Sequence, residues 1–448
     1  MFLDSYKDPD GFVFNYNNNL YRCIYHKTAN HYLELFKQDF FIKLINEMKV
    51  INFKETENIF YDKINNINKK DKILDLKKIN FFSHPHEWPF DQLKDAAIFH
   101  LDLEIFLLKN NYCLKDASPR NIIFYKNNPV FVDHLSIKKY HEGNYWLGQL
   151  QFYQEFLNPL VLKSKCKINY NNWFESNFYG ILSEDLNNIL KFYQKFIPSI
   201  FFHVVLPAKS KYFENKKATS IKKKFSKEKY IYILNSIKKF IISLKVSRNN
   251  SKRWSNYENF LPYEIGEFNK KKEIVSNFLN NTKSENIVDL GCNNGTFTFL
   301  SKEKKNILGF DFDHECINDS YNKSKSIKQN AIFFVKNLSK EIIRTQKFNI
   351  KKIDACLALA LIHHLRVTEN IPIHQIITYI LSVANEGLIE FVDKSDEKFK
   401  SILGLKKDTY FDYNLDNIVN IIEINQFEIK KIHEVKKNKR YLIHYNKK

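Results

Sequence analysis

The sequence predicts an α/β protein in two parts: a doubly wound, mostly parallel sheet in the second half, preceded by a mixed α+β domain. Three observations carry this. The chain has 448 residues, more than one ordinary domain of roughly 100–200 residues holds. Beyond residue 254, short apolar runs (NIVDL, NILGFDF, AIFFV, IDACLALAL, GLIEFV) alternate with helical stretches, the pattern of parallel strands joined by crossover helices. Between the halves, residues 209–253 carry fifteen Lys or Arg against two acids, Glu214 and Glu228, and so supply thirteen of the twenty net positive charges. The expected division is an N-terminal accessory domain over 1–206, a basic linker with an amphipathic helix over 207–253, and a third segment over 254–448.

In the first segment a helix is expected from Asp91 to Asn110, feeding LKDASPRNIIFYKNNPVFVD. Asn127-Asn128 reads there as a two-residue hairpin turn, in a register that sets Ile122 opposite Asp133. That register gathers Asp116, Asn121 and Asp133 at one end. Across the junction, Tyr230–Val246 spaces Ile, Leu and Phe around Lys238, Lys239 and Lys245, as an amphipathic helix does. The basic segment suits contact with a polyanion such as anionic lipid or RNA. Equally, it suits a solvated linker that packs one apolar stripe on a neighbour.

Composition narrows the classes. With 44% apolar and 15% aromatic residues, the chain has ample material for a core, and wholesale disorder is excluded. Its six cysteines form no C-x-x-C pair, so neither a zinc site nor a disulfide framework is expected, and a reducing cytoplasm fits. MFLDSYKDPDGF has no basic segment followed by an apolar core, and no run approaches the roughly eighteen apolar residues of a membrane span, so neither secretion nor membrane spanning is expected. His84 and His86 flank a proline beside Glu87 with no third ligand in view, so no metal is assigned.

In the third segment, Asn286-Ile-Val-Asp-Leu-Gly-Cys-Asn-Asn-Gly295 is a strand ending in a glycine turn. The chain has only ten glycines, so Gly291 and Gly295 in such proximity mark close backbone approach to a ligand. A dinucleotide fingerprint would need glycines where Asn293 and Thr296 stand, so a nicotinamide dinucleotide is disfavoured. Asp311 closes the next strand, twenty residues after Gly291, where a doubly wound fold places an acceptor for two ribose hydroxyls. The Thr-Phe-Thr-Phe-Leu after Gly295 is expected to begin a helix. A fourth strand over Ile353–Leu361 delivers His363 and His364 to the crevice end of the sheet. Either imidazole can take a proton from a hydroxyl or amine there; the alternative is that one caps the strand end by hydrogen bonds and the other packs. Trp254, Tyr257 and Tyr263 precede the first strand, placed to fold over a ligand or to pack.

VDLGCNNG and GFDFD resemble the first two motifs of class I S-adenosylmethionine-dependent methyltransferases, with a Rossmann-like fold over about 254–448. The resemblance implies that S-adenosylmethionine is the cofactor, that Asp289 and Gly291 line its methionine end, that Asp311 binds ribose and that Asn337 sits near adenine. It counts Cys292, Asn293, Gly295 and Ala358 among the cofactor-binding residues and leaves His363 and His364 as the catalytic candidates. The usual middle glycine is Asn293 here, and the acid often found near adenine is Asn337.

Asp116, Asn121 and Asp133 resemble the catalytic loop and metal aspartate of protein-kinase-like phosphotransferases. The resemblance is degenerate. Leu114-Lys115 precedes the first aspartate, His134-Leu135 follows the last, and Gly11 is the only glycine before Gly143. Taken in order, HEWPFDQLKDAA, LKDAS, PVFVD, QFYQEF, VDLGCNNG and LALALIHHL are similar to bacterial nodulation-protein-like methyltransferases. That implies a kinase-like accessory domain, selecting or presenting an unidentified acceptor, joined to a methyltransferase. Two alternatives remain open: a non-catalytic nucleic-acid or membrane-surface binding protein on a methyltransferase scaffold, and a phosphotransferase using Asp116, Asn121 and Asp133.

Overall fold

A computed structural model describes residues 8–209, 226–246, 264–301, 305–344 and 353–448. Most of the basic 209–253 segment, with Trp254, Tyr257 and Tyr263, lies outside the described residues. The chain divides into two compact units, residues 1–86 with 93–247, and residues 87–92 with 248–448.

The first unit opens with strands β1 (Gly11–Tyr16) and β2 (Asn19–Ile24), joined through Asn17 and Asn18, both with positive φ, as a two-residue hairpin turn requires. With β3 (Phe53–Thr56) and β4 (Lys72–Leu76) they form an antiparallel sheet ordered β1-β2-β4-β3. Phe12, Phe14, Cys23 and Ile73 turn from it onto Phe60, Ile64 and Ile67. Beyond the sheet, β5 (Tyr112–Leu114) pairs with β8 (Ile137–Lys139), and β6 (Ile122–Tyr125) with β7 (Asn128–Phe131).

The β6–β7 hairpin departs from the expected register. Its turn is Lys126-Asn127, with φ of 49° and 61°, and Ile122 lies opposite Phe131, not Asp133. Two consecutive left-handed residues close this turn at Tyr125 and Asn128, and Pro129, which has no N–H, is left inside β7. The slip is two residues, so the inward face is unchanged.

The helix Phe90–Lys109 falls where periodicity places it. So does Lys227–Ser243, whose Tyr230, Leu234, Ile237 and Ile241 are buried. Tyr230 donates its hydroxyl proton to Glu104 Oε1 at 2.6 Å, and the Leu114 amide donates to Glu104 Oε2 at 2.8 Å. The described part of the basic segment therefore packs an apolar stripe within the first unit.

The second unit is one seven-stranded sheet. In chain order its strands are β9 (Asn286–Leu290), β10 (Asn306–Asp311), β11 (Ala331–Val335), β12 (Ala355–Ala358), β13 (Glu386–Val392), β14 (Phe427–Lys436) and β15 (Arg440–Lys447). They lie in the order β11-β10-β9-β12-β13-β15-β14; the first five are parallel and β15 is antiparallel to both its neighbours. The expected doubly wound, Rossmann-like sheet is thus present. Its order reverses between β9 and β12, which opens a crevice at their carboxyl ends. Val275, Phe278 and Leu279 of the helix Ile265–Asn281 pack on Ile287, Leu357, Leu388 and Leu442 of the sheet.

Four buried charges tie this unit together. Lys271 pairs with Glu390 at 2.5 Å, and Arg440 grips Asp396 through two nitrogens at 2.8 Å each while approaching Glu390 at 3.5 Å. One helix, two strands and the residue capping the helix Glu397–Leu403 are joined by a set whose charges cancel.

Burial pushes the Glu104 carboxyl up to about 7, against the donated bonds from Tyr230 and Leu114. A carboxyl that holds its proton more tightly when folded contributes stability that is full below its ordinary pKa near 4.5 and is lost as pH rises to about 7. Urea unfolding across that window should therefore show wild-type stability falling with pH relative to Glu104→Gln, by roughly 2–3 kcal/mol.

Candidate functional site

The site is assembled at the carboxyl ends of β9, β10 and β12. After Leu290 the chain turns through Gly291 and Gly295, each with φ of 74°, and Asn293, with φ of 51°. The Gly291 and Cys292 amides both donate to the Phe310 carbonyl, at 2.8 and 2.9 Å, so the turn is strapped to the end of β10. A Cβ on Gly291 would come within 3.0 Å of Leu361 Cδ1, and one on Gly295 within 2.8 Å of Phe299 Cε2. The space for a side chain is tight at Gly291, where the flexible end of Leu361 can give, and lacking at Gly295, where the Phe299 ring stands. Beyond Gly295 the chain forms the 3-10 turn Thr298–Leu300, in place of the longer helix expected.

Asp311 ends β10 and is buried. Its Oδ2 accepts from the Asn293 amide at 2.9 Å and its Oδ1 from the Asp313 amide at 2.8 Å, so the carboxylate faces the glycine turn. Burial raises its pKa to about 6, opposed by those backbone donors. A carboxylate offers about four acceptor positions, so these backbone donors do not exhaust it. Asp289, buried inside β9, accepts from Thr298 Oγ1 at 2.7 Å and is also pushed to about 6 by burial. Cys292 is buried and Ala358 is the last residue of β12. Asn337 caps the helix Leu338–Ile343, its Oδ1 accepting from the Ser339 amide at 3.0 Å and hydroxyl at 2.6 Å.

The expected long fourth strand is only Ala355–Ala358; Ala360, with φ of 50°, turns the chain, and His363 and His364 lie on the helix Ile362–Val367. Their rings are 4.4 Å apart between centroids. His363 is fully buried, and neither of its ring nitrogens has a hydrogen-bond partner among the described residues, so it is not the hydrogen-bonded strand cap of the alternative reading. Burial, then the neighbouring His364 and cations including Arg440, hold His363 well below the ordinary imidazole range. Burial together with Lys398 and Arg440 lowers His364 to about 4. Both are therefore neutral at pH 7.

Reading the sequence alone overlooked Phe312. It follows the strand-ending carboxylate and is 62% exposed, an aromatic face at the rim of the crevice. Its signal was the phrase GFDFD, in which one Phe lies inside the strand and the next lies beyond its end.

In the first unit, the Asn121 amide donates to both Asp116 oxygens at 3.1 Å, and Ser136 donates its hydroxyl to Asp116 Oδ1. Asp133 is paired with Arg22 of β2 at 2.6 Å. Lys115 is paired with Asp10 at 2.5 Å. Arg22 also escaped sequence reading, although a guanidinium in the apolar strand NLYRCI is a conspicuous charge to bury.

A sheet in this order, with a glycine turn after its first strand and a buried carboxylate ending its second, is the Rossmann-like fold of class I methyltransferases. No family model matches the chain. Nodulation protein NoeA of Rhizobium meliloti (strain 1021) is 30% identical to it, across 92% of this chain and 88% of the relative. The chain belongs to the NoeA family. Solved structures similar to it include the bifunctional kinase-methyltransferase WbdD, 16% identical with a TM-score of 0.30, matched over 43% of this chain and 41% of that one. The match therefore spans less than half of WbdD. Others are the magnesium protoporphyrin IX methyltransferase ChlM of Synechocystis PCC 6803 (17% identity, 41% and 84% coverage, TM-score 0.32) and the N-methyltransferase NodS of Bradyrhizobium japonicum WM9 (9% identity, 43% and 98%, 0.31).

The two glycines should differ on substitution. Gly291→Ala meets only the flexible end of Leu361 and should cost about 1–2 kcal/mol for its left-handed backbone. Gly295→Ala adds a clash with the Phe299 ring and should cost more. Urea unfolding of the two variants side by side checks the order.

Proposed function

We propose that the second unit is a methyltransferase that uses S-adenosylmethionine, and that its crevice holds the cofactor along the glycine turn. The observation that carries this reading is the buried Asp311 carboxylate facing the turn, with acceptor positions to spare for two ribose hydroxyls. Gly291 and Gly295 let Leu361, Phe299 and Phe333 pack against the turn, which fixes the backbone along which the cofactor would lie. When bound, the cofactor supplies an electrophilic methyl group on a sulfonium. The chain's own residues position and shield. Asp311 would grip the ribose, Phe312 would offer a ring face to adenine, and Asn337 would contribute from the adenine side. Asp289, Gly291, Cys292, Asn293, Gly295 and Ala358 would shape the methionine end.

His364 is the better placed of the two histidines to face an acceptor, being less buried than His363, and its unprotonated ring can accept a hydrogen bond from an acceptor hydroxyl or amine. Holding the acceptor near attack distance and excluding water are the main demands of methyl transfer.

The first unit, with the described part of 207–253 packed within it, would be a kinase-like accessory lobe that selects or presents the acceptor for a methyltransferase over 254–448. The internal pairing of Asp133 with Arg22, and of Asp116 with Asn121 and Ser136, supports a supporting role for that lobe over phosphotransfer. Magnesium with ATP should accordingly leave the melting temperature unchanged, and a rise that Asp133→Ala removes would reverse this part.

Calorimetry with S-adenosylmethionine should give micromolar-range binding that Asp311→Ala weakens at least about tenfold, a loss of about 1.4 kcal/mol. Because the carboxylate form accepts the ribose hydroxyls, wild-type affinity should fall as pH drops through about 6. Unchanged binding in the variant, or affinity that ignores pH in this range, would remove Asp311 from the site.

A further inference from the structure

In the first unit, three short helical turns, Phe192–Phe196, Pro198–Ile200 and Phe201–Val205, follow one another. They bury Gln194, Ile200, Val204 and Val205. Gln194 anchors the run by donating its side-chain N–H to the Lys165 carbonyl at 3.0 Å, and the Phe201 amide donates to the Ile197 carbonyl at 2.8 Å. The outward side is aromatic. Phe192 is 78% exposed, Tyr193 65%, Phe196 66% and Phe202 60%. The Phe192 and Phe196 rings stand 5.0 Å apart between centroids, and Phe201 lies 5.6 Å from Phe202. Single exposed apolar residues need no explanation, but two exposed ring pairs on neighbouring turns are of the kind that marks an interaction surface.

Within the run itself the charged side chains have one sign; the nearest acids along the chain before it, Glu184 and Asp185, lie on the helix Ser183–Ile189 that packs on Phe201–Val205. No acidic residue occurs between Asp185 and Glu214, whereas Lys191, Lys195 and Lys209 lie at or beside the aromatic run. None of these three ammonium groups has an ion-pair partner among the described residues. The chain that continues from the patch, residues 210–225, lies outside the described residues; by sequence it adds six lysines and one acid.

We propose that the face of Phe192, Tyr193, Phe196 and Phe202, rimmed by Lys191, Lys195 and Lys209, docks on the surface of an anionic lipid bilayer. Phenyl rings with few hydrogen-bonding groups among them suit the boundary between headgroups and acyl chains. Lysines suit the phosphate level above it, where their stems lie along apolar surface and their ammonium groups stay in water. Ile197 and Leu206, also exposed, extend the apolar side with aliphatic groups that gain nothing from base stacking, which disfavours RNA. No described helix is long and apolar enough to cross a membrane, so the contact would be peripheral.

The test is co-sedimentation of the full chain with phosphatidylcholine vesicles, with and without about one third phosphatidylglycerol. It needs no methyl donor, so its result is separable from that of the cofactor experiment. The wild type should pellet with the anionic vesicles and remain in solution with phosphatidylcholine alone. F192S/F196S/F202S should bind at least about tenfold more weakly, and K191S/K195S about twenty-fold more weakly, at about fivefold per lysine. All these positions are on the surface, so circular dichroism and melting should match the wild type. The proposal is overturned if the triple serine variant, folded, sediments as well as the wild type, or if the wild type ignores anionic vesicles. Two findings in place of vesicle binding would equally overturn it: a dimer in solution that the triple variant dissolves, or binding of single-stranded RNA.

Discussion

The inward turn of the Asp311 carboxylate onto the amides of Asn293 and Asp313 is the contact on which the crevice depends. A glycine turn with three left-handed residues has little regular hydrogen bonding of its own, and buried amides left without acceptors are costly. The Phe310 carbonyl takes two of them and Asp311 takes a third. One residue thus terminates β10, orients the turn after β9 and presents acceptor oxygen at the switch point of the sheet. Burial works against the carboxylate's charge, and the backbone donors partly offset it.

Both units contain buried ion pairs. In the first, Arg22 of β2 meets Asp133, which lies just beyond β7, over a gap of 111 residues in sequence, and its guanidinium also donates to the Val132 carbonyl at 3.2 Å. In the second, Lys271, Glu390, Arg440 and Asp396 are linked in one set. Such pairs add little net stability over an apolar packing of the same shape, but breaking one leaves an uncompensated buried charge. They therefore act chiefly as constraints on which elements meet.

The five parallel strands were legible because strands covered on both faces are continuous apolar runs bounded by turn residues, as in NIVDL and AIFFV. β14 was not. FEIKKIHEVK is the edge strand, only its ends are buried, and its Lys, His and Glu read as solvated chain. The β1–β2 hairpin also went unread, although Asn17-Asn18 between two alternating runs was its signal. In the β6–β7 hairpin the adjacent pair Asn127-Asn128 drew attention one residue past the true turn, since Lys126 also adopts the left-handed conformation. The glycine turn and Asp311 could be located from spacing alone. The burial of His363 could not, because it depends on a turn at Ala360 that shortens β12 and moves both histidines onto a helix. Arg22 and Phe312 were missed for the same reason: their roles come from what stands opposite them in space.

The linked charges of the second unit also limit how its sequence can drift. Replacing Glu390 removes the carboxylate bonded to buried Lys271, and replacing Arg440 removes the guanidinium that holds buried Asp396. A lineage leaving this solution would have to exchange at least two distant positions nearly together, passing through intermediates less stable than either end. These four residues should therefore change as a group or not at all, so that a relative with an apolar residue at one of the four positions would be expected to have lost its charged partner as well.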